Sequence, residues 1–263
     1  MVYLVVIFSL FLIIAGFMLA YYADYRLQEM KKEEVLTKYY GTSYHVFTRN
    51  EYDDIKSNNI LAGEYVIYRQ LKAYEEVGGK FLFDVYLPKE DGTTAKIDVL
   101  FMTPKGIFVI NSKNYSGNIY GAEDEAEWIQ SFDNSSIRFL NPIMENRVSI
   151  ECLKKVIGEE LPIYSMIVFS DESYLKNVPA FLRDTFVVNN SKLNRVLRTI
   201  LNSTEQLVSF RDIEELQKEL FPLSQVTEME KEEHIKNVRE QLAVVRKEAR
   251  EARLEQLEAE AAW

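Results

Sequence analysis

Lys96-Ile97-Asp98-Val99-Leu100-Phe101-Met102-Thr103 and Gly106-Ile107-Phe108-Val109-Ile110-Asn111-Ser112-Lys113-Asn114 are two strand-like runs, with Pro104-Lys105 between them as a turn. Folding the hairpin about that turn sets Asp98 roughly opposite Asn111, with Lys113 two residues further on. Residues opposite each other across a hairpin share a face, as do residues two apart on one strand. A carboxylate, an amide and an ammonium therefore cluster on a face whose other members, Leu100, Met102, Ile107 and Val109, are apolar. Polar groups are costly on a buried face unless they are satisfied or useful. The register stays open by one residue, and a slip would move one strand's set to the other face.

Working outward, Asn58 or Asn59 can cap a helix to about Glu76, with Ile60, Ile67, Leu71 and Tyr74 at helical spacing and Glu64 in its first turn. A charge there favours the helix N-terminus. Phe81 to Leu87 reads as a strand closed by Pro88, and Glu90-Asp91-Gly92 turns the chain into the hairpin. A short strand is expected at Gly117 to Tyr120, and irregular chain from Ile129 to Leu140. Asn141-Pro142 opens a helix to about Ile157, stopped by Gly158. Ile163 to Phe169 is a continuous apolar run, as in a strand buried on both faces. Phe186 to Val188 reads as a strand, and helices follow at Ser191 to Leu201 and Ile213 to Leu220. The order αβββαβ, then strand and helices, is an α/β sandwich with a mixed sheet.

The 263 residues have room for one substantial domain plus appendages, and 47% hydrophobic with 27% charged residues is ordinary for a folded chain. The formal charge of -10 gives no global basic footprint of a nucleic-acid binder, although the signs nearly balance between Lys56 and Arg198. The lone Cys152 rules out a disulfide within the chain and a cysteine-based zinc site. The two histidines, His45 and His234, are remote in sequence and read as solvated side chains.

Val2 to Tyr22 is almost unbroken apolar sequence with no charge. A run of about 20 such residues spans a bilayer as a helix. No Lys or Arg precedes the run, and Ala20-Tyr21-Tyr22-Ala23 is a poor cleavage site, so an uncleaved anchor is expected over 1–23 rather than a signal peptide. Arg26, Lys31, Lys32 and Lys38 follow the span, which places the N-terminus outside and the main domain in the cytoplasm. A charged juxtamembrane linker is expected over 24–56, a folded domain over 57–222 and a charged helix over 223–263. In the last segment Ile235, Val238, Leu242, Val245, Ala249 and Ala252 form a short a/d seam, compatible with a solvated helix or with a coiled coil that pairs two copies or a partner protein.

Ala62-Gly63-Glu64, Lys96-Ile97-Asp98, the run from Gly106 to Gly117, Trp128, Asn141-Pro142 with its helix, and Ile163 to Ser170 together resemble the nuclease-related domain, NERD, over roughly Ser57 to Ser170. The resemblance implies the restriction-endonuclease-like PD-(D/E)xK fold with its αβββαβ core. It also implies metal-dependent cleavage of phosphodiester bonds in DNA or RNA. Carried over, Asp98 is the primary ligand of Mg²⁺ or Mn²⁺, with Glu64 and Asn111 as supporting ligands. Lys113 is the partner of water or phosphate. Such ions take oxygen ligands, activate a water and offset phosphate charge. Two positions depart from the pattern: Asn111 stands where the second acid of the motif belongs, and Glu145 stands in place of the Gln in an Asn-Pro-x-x-Gln stretch. The alternative expectation is a catalytically degenerate binding or scaffold module that keeps the fold. There is no P-loop, dinucleotide fingerprint or His-x-x-x-His pair.

Overall fold

A computed structural model describes the backbone from residue 2 to residue 261, and side chains at 14, 16–248, 250 and 251. The chain forms two compact units, Met1–Tyr52 and Asp53–Trp263. In the first, α1 (Val2–Tyr40) is followed by α2 (Ser43–Thr48), where Thr42 caps the new helix by accepting from the His45 N–H. The Tyr39 ring packs against those of Tyr40, His45 and Tyr52. Among the described residues no helix is long and apolar enough to cross a membrane. Most side chains of the expected anchor, those of residues 1–13 and 15, lie outside the described residues.

The second unit opens within α3 (Tyr52–Ser57) and continues with α4 (Asn59–Leu71), capped by Asn58, whose Oδ1 accepts from the Ile60 and Leu61 N–H groups. The helix continues as a 3-10 turn over Lys72–Val77 that ends at Gly78. Its buried stripe is Gly63, Glu64, Ile67, Tyr68 and Leu71, while Ile60 is exposed.

Next come β1 (Lys80–Pro88), β2 (Thr94–Thr103) and β3 (Gly106–Lys113), an antiparallel meander. Thr103 pairs with Gly106 and Val99 with Ile110, the register the turn requires, and the ladder ends there, one residue short of Asp98 and Asn111. Gly106 turns the chain at φ 148°, and a Cβ there would press on the Tyr164 ring and the Pro162 carbonyl. Then follow β4 (Gly117–Tyr120), β5 (Glu127–Ser131), β6 (Ser136–Leu140) and α5 (Pro142–Ile157). They lead into β7 (Ile163–Phe169), β8 (Ser173–Leu175), β9 (Phe181–Leu182) and β10 (Thr185–Asn189). The chain closes with α6 (Asn190–Ser203), α7 (Phe210–Leu220) and α8 (Glu228–Ala261).

The main sheet is mixed, in the order β1-β2-β3-β7-β10-β9, with β3, β7 and β10 parallel. Phe101 and Phe108 stack in its centre, flanked by Phe81 and Tyr164. This is the α/β architecture and mixed sheet expected from the sequence. One expectation fails: Ile129 to Leu140 is not irregular but carries most of the β5–β6 hairpin, within a second sheet of order β6-β5-β4-β8. Trp128, wholly buried, stacks on Phe169 and joins Ile119, Ile143, Ile167 and Val187 in one apolar cluster, so burial of one large ring anchors a hairpin whose outer strand is largely exposed.

Candidate functional site

The site is a fork in the main sheet. β2 pairs with β3 only from Val99 to Thr103, while the Asn111–Lys113 end of β3 pairs with β7 and the Thr94–Ile97 end of β2 pairs with β1. Where the two strands separate, the Asp98 side chain takes over a ladder position: its Oδ2 accepts from the Ser112 backbone N–H at 2.8 Å. A backbone donor left without a partner at such a split would be costly.

α4 reaches the fork from the face to which Ser112 points. The approach is close enough that a Cβ on Gly63 would lie 2.5 Å from Ser112 Oγ and 3.0 Å from Asn114 Cβ. Asn114 Nδ2 also donates to the Asn59 carbonyl at 2.9 Å, fixing the start of α4 to the end of β3. The neighbour of Gly63, Glu64, is thereby wholly buried at the fork.

An inner cluster forms around Lys96, a residue sequence reasoning did not single out. Its Nζ lies 2.6 Å from Asp84 Oδ1, 2.9 Å from Asp98 Oδ1 and 3.4 Å from Glu64 Oε1. Lys96 shares the face of Asp98 by strand alternation, and that two-residue spacing was a signal open to reading. Asp84 was the other: a single acid inside Phe-Leu-Phe-Asp-Val-Tyr-Leu. It adopts φ 50° within β1, a conformation uncommon for a non-glycine residue and concentrated at functional sites. Burial, then Asp84, raises the Glu64 carboxyl well above its ordinary range. Burial would also raise Asp98, but Lys96, Lys113 and the Ser112 N–H outweigh it and hold that carboxylate below its usual value. Burial would lower Lys96, yet Asp98, Asp84 and Glu64 together raise it well above the lysine range.

An outer cluster forms around Lys113. Its Nζ is 2.9 Å from Glu145 Oε2, and Asn111 Nδ2 is 3.4 Å from the same oxygen. The cation beside Asp98 is therefore Lys96, and Lys113 is paired to α5. Burial alone would lower Lys113, but Glu145 first, then Tyr115 and Asp98, keep it above the ordinary lysine value. α5 is set by the Asn141 cap and by Asn146, buried beside Glu145. Asn146 Nδ2 donates to the Val109 carbonyl at 3.0 Å and to Ser165 Oγ at 3.1 Å. Ser149 adds a bond to the Lys96 carbonyl at 3.0 Å.

Among the described residues, Glu64 Oε2 and Asn111 Oδ1 are buried side-chain oxygens at the fork with no hydrogen-bond partner. Asp98, Asn111, Lys113 and Glu145 line a cavity of about 710 Å³, whose far wall is α8 through His234, Val238 and Val245. His234 is not a solvated side chain: its Nδ1 lies 2.9 Å from Thr94 Oγ1 and its ring stands edge-on to Tyr86. Burial pushes the Tyr86 hydroxyl up to about 12 and the His234 imidazole below its ordinary value. Two residues of the expected coiled-coil seam, Val238 and Val245, face the chain's own domain, whereas Ile235 is exposed.

Residues 61–170 match the model of the NERD, nuclease-related domain, family. An uncharacterized protein of Bacillus anthracis is 30% identical over 138 residues, covering 52% of this chain and 65% of that protein's length. No solved structure matches the chain.

Proposed function

We propose that the chain hydrolyses phosphodiester bonds of nucleic acid at the fork, with Mg²⁺ or Mn²⁺ as cofactor. What carries the reading is the meeting of Asp98 with Asn111-Ser112-Lys113 where β2 leaves β3, with Glu64 brought to the same point by α4. What supports such an ion is the donor chemistry: Asp98 is a charged oxygen donor, and Glu64 Oε2 and Asn111 Oδ1 are buried oxygens with no hydrogen-bond partner among the described residues. Hard divalent cations select oxygen donors of this kind. When bound, the ion supplies an activated water and offsets charge on the phosphate. Asp98 stays ionised beside Lys96. Lys113 keeps its proton on Nζ beside Glu145, so it offers an ammonium to a phosphate oxygen and does not act as a base. Incubating the full chain with single- and double-stranded DNA and RNA in Mg²⁺ or Mn²⁺ tests this. Cleavage is expected, and it is lost in Asp98→Ala and Lys113→Ala; cleavage that survives Asp98→Ala, or no cleavage of any substrate, contradicts the assignment.

A second reading is favoured by Lys96. Its ammonium already fills the space among Glu64, Asp84 and Asp98, and among the described residues no three His, Cys, Asp or Glu side chains are spaced to hold a metal. On that reading the domain is a degenerate binding or scaffold module. Mn²⁺ titration separates the two, since only the first requires saturable binding that depends on Asp98.

The surroundings of the domain are proposed on sequence. The apolar run Val2 to Tyr22 is a single-pass anchor with the N-terminus outside and the main domain in the cytoplasm. Digestion of the main domain by protease outside sealed vesicles would contradict this orientation. The exposed side of α8 offers a contact for a second copy or a partner protein, and sedimentation of the chain reads it directly.

A further inference from the structure

We propose that α8 is a lid over the cavity. Its docked position closes the face that carries Asn111, Lys113 and Glu145 to a polymer, and it swings away about residues 225–227 to admit one. The inference rests on the cleavage reading above and names how access to that site is controlled.

α8 crosses the mouth of the cavity and is held on either side of it. On one side His234 Nδ1 lies 2.9 Å from Thr94 Oγ1 and the ring stands edge-on to Tyr86, which ties the helix to β1 and β2. On the other, Arg246 Nε lies 2.9 Å from Glu127 Oε1, and Arg246 Nη2 donates to the Arg138 carbonyl at 3.0 Å, which ties it to the β5–β6 hairpin. About 18 Å of helix separates the two ties. Between them Val238, Gln241 and Val245 face the cavity. With α8 docked, the cavity of about 710 Å³ has the size of a small-molecule pocket, whereas a nucleic-acid strand needs an open groove to lie in.

The helix roofs this space without filling it. None of its described residues is buried, whereas α4, α5, α6 and α7 each bury apolar side chains. An element seated on half-buried residues has little apolar contact to lose and opens at low cost. α8 also carries its own means of staying helical. The Thr227 N–H and Oγ1 donate to Glu230 Oε2 at 2.6 and 2.7 Å, and the Glu230 N–H donates back to Thr227 Oγ1 at 3.3 Å, so the helix start is closed within its own sequence. Its 34 residues exceed the roughly 12 to 15 below which a lone helix is marginal. Just before it, Gln225 leaves the helical region at φ −105° and ψ 42°, after a 3-10 turn over Phe221–Ser224. That turn follows the wholly buried Leu220, so the pivot is mounted on the core. A fixed pivot, a self-capped helix and a shallow seat are the parts of a lid.

The test uses the full chain with Met144→Cys as reporter, a cavity-lining position outside the proposed catalytic set. The native Cys152 is buried. The new thiol is labelled either with a maleimide on a bulky polymer or with methyl methanethiosulfonate, which is small enough to enter under the roof. Arg246→Glu with Val238→Asp sets like charge against Glu127 and an acid in the apolar seat. Labelling scales with the open fraction, so this variant is expected to speed the bulky label at least about tenfold and the small one by less than about threefold. A fall in melting temperature of no more than about 4 °C is expected for a domain of this size. An unchanged bulky rate, equal acceleration of both labels, or a much larger fall in melting temperature would overturn the lid, the last because α8 would then be an integral part of the fold. Arg246→Ala alone, which removes one tie and adds no charge, is expected to speed the bulky label about threefold and decides the matter if the double variant does not fold. On the cleavage reading, single-stranded DNA is also cut faster by the double variant. Faster bulky labelling with no cleavage by any variant would overturn that reading and leave the lid standing. Unchanged labelling with cleavage intact would overturn the lid alone.

Discussion

Two lysines stand on one face of the sheet, on neighbouring strands, and meet opposite circumstances. Lys96 is surrounded by three carboxylates, one of them wholly buried. Lys113 has one carboxylate partner, Glu145, which is 31% exposed, and an amide whose oxygen is unused. The inner cluster is closed and its contacts hold β1, β2 and α4 together. The outer cluster opens onto the cavity and retains capacity for a ligand. Charge in the inner cluster is thus saturated from within, and the outer cluster keeps an unpartnered amide oxygen at the cavity.

That contrast can be broken most severely at Lys96. Lys96→Met leaves three carboxylates facing one another without a cation, and removing one partner of a buried ionic group costs about 3 to 5 kcal/mol. A fall in melting temperature of roughly 10 °C is expected for a domain of this size. Adding Glu64→Gln should return part of it, and a loss no larger than that of Lys113→Met would contradict the division into two clusters. Gly63→Ala comes next. The new Cβ would meet Ser112 Oγ at 2.5 Å, so α4 must shift and lift Glu64 from the fork. Overpacking of this kind costs about 1 to 3 kcal/mol, read by chemical denaturation. Lys113→Met sharpens the comparison from the other side: a stability loss of about 1 kcal/mol or less, as for a partly solvated pair, with loss of nucleic-acid cleavage.

The smallest effect concerns pH. Burial first, then the neighbouring Lys96, hold His234 below its ordinary value; Thr94 and Asp98 act the other way, and Lys89 adds to the lowering. The unfolded chain therefore takes up a proton at higher pH than the folded one. Stability from this group is fully present above about pH 6.5, the unfolded value, and is lost as pH falls through the folded value. Denaturant midpoints measured from about pH 7 to pH 5 should fall, and His234→Asn should flatten that dependence.

Much of the fold was legible because its signals are local. The turn at Pro104-Lys105 fixes the register of β2 and β3, the Asn141-Pro142 and Gly158 punctuation marks α5, and the run Ile163 to Phe169 announces a strand buried on both faces. Asp98, Asn111 and Lys113 were placed together by alternation alone. What was not legible depends on contacts distant in sequence. Nothing local shows that Lys96 will face Glu64, 32 residues earlier, or that α5 will bring Glu145 to Lys113, also 32 residues away. The β5–β6 hairpin was missed because its outer strand is short and largely exposed, and the burial of Trp128 that stabilises it comes from β7 and α5. The C-terminal helix read as a seam for another helix because heptad spacing does not reveal which surface it will cover, and part of that seam covers the cavity.

The most direct test of the account is the anomalous scattering of Mn²⁺ soaked into crystals of the chain. The account predicts one peak on the cavity side of the fork, within ligand distance of Asp98 and Asn111 Oδ1, with Lys96 still inside its three carboxylates. No peak at saturating Mn²⁺, or a peak that displaces Lys96 from Asp84, would contradict it.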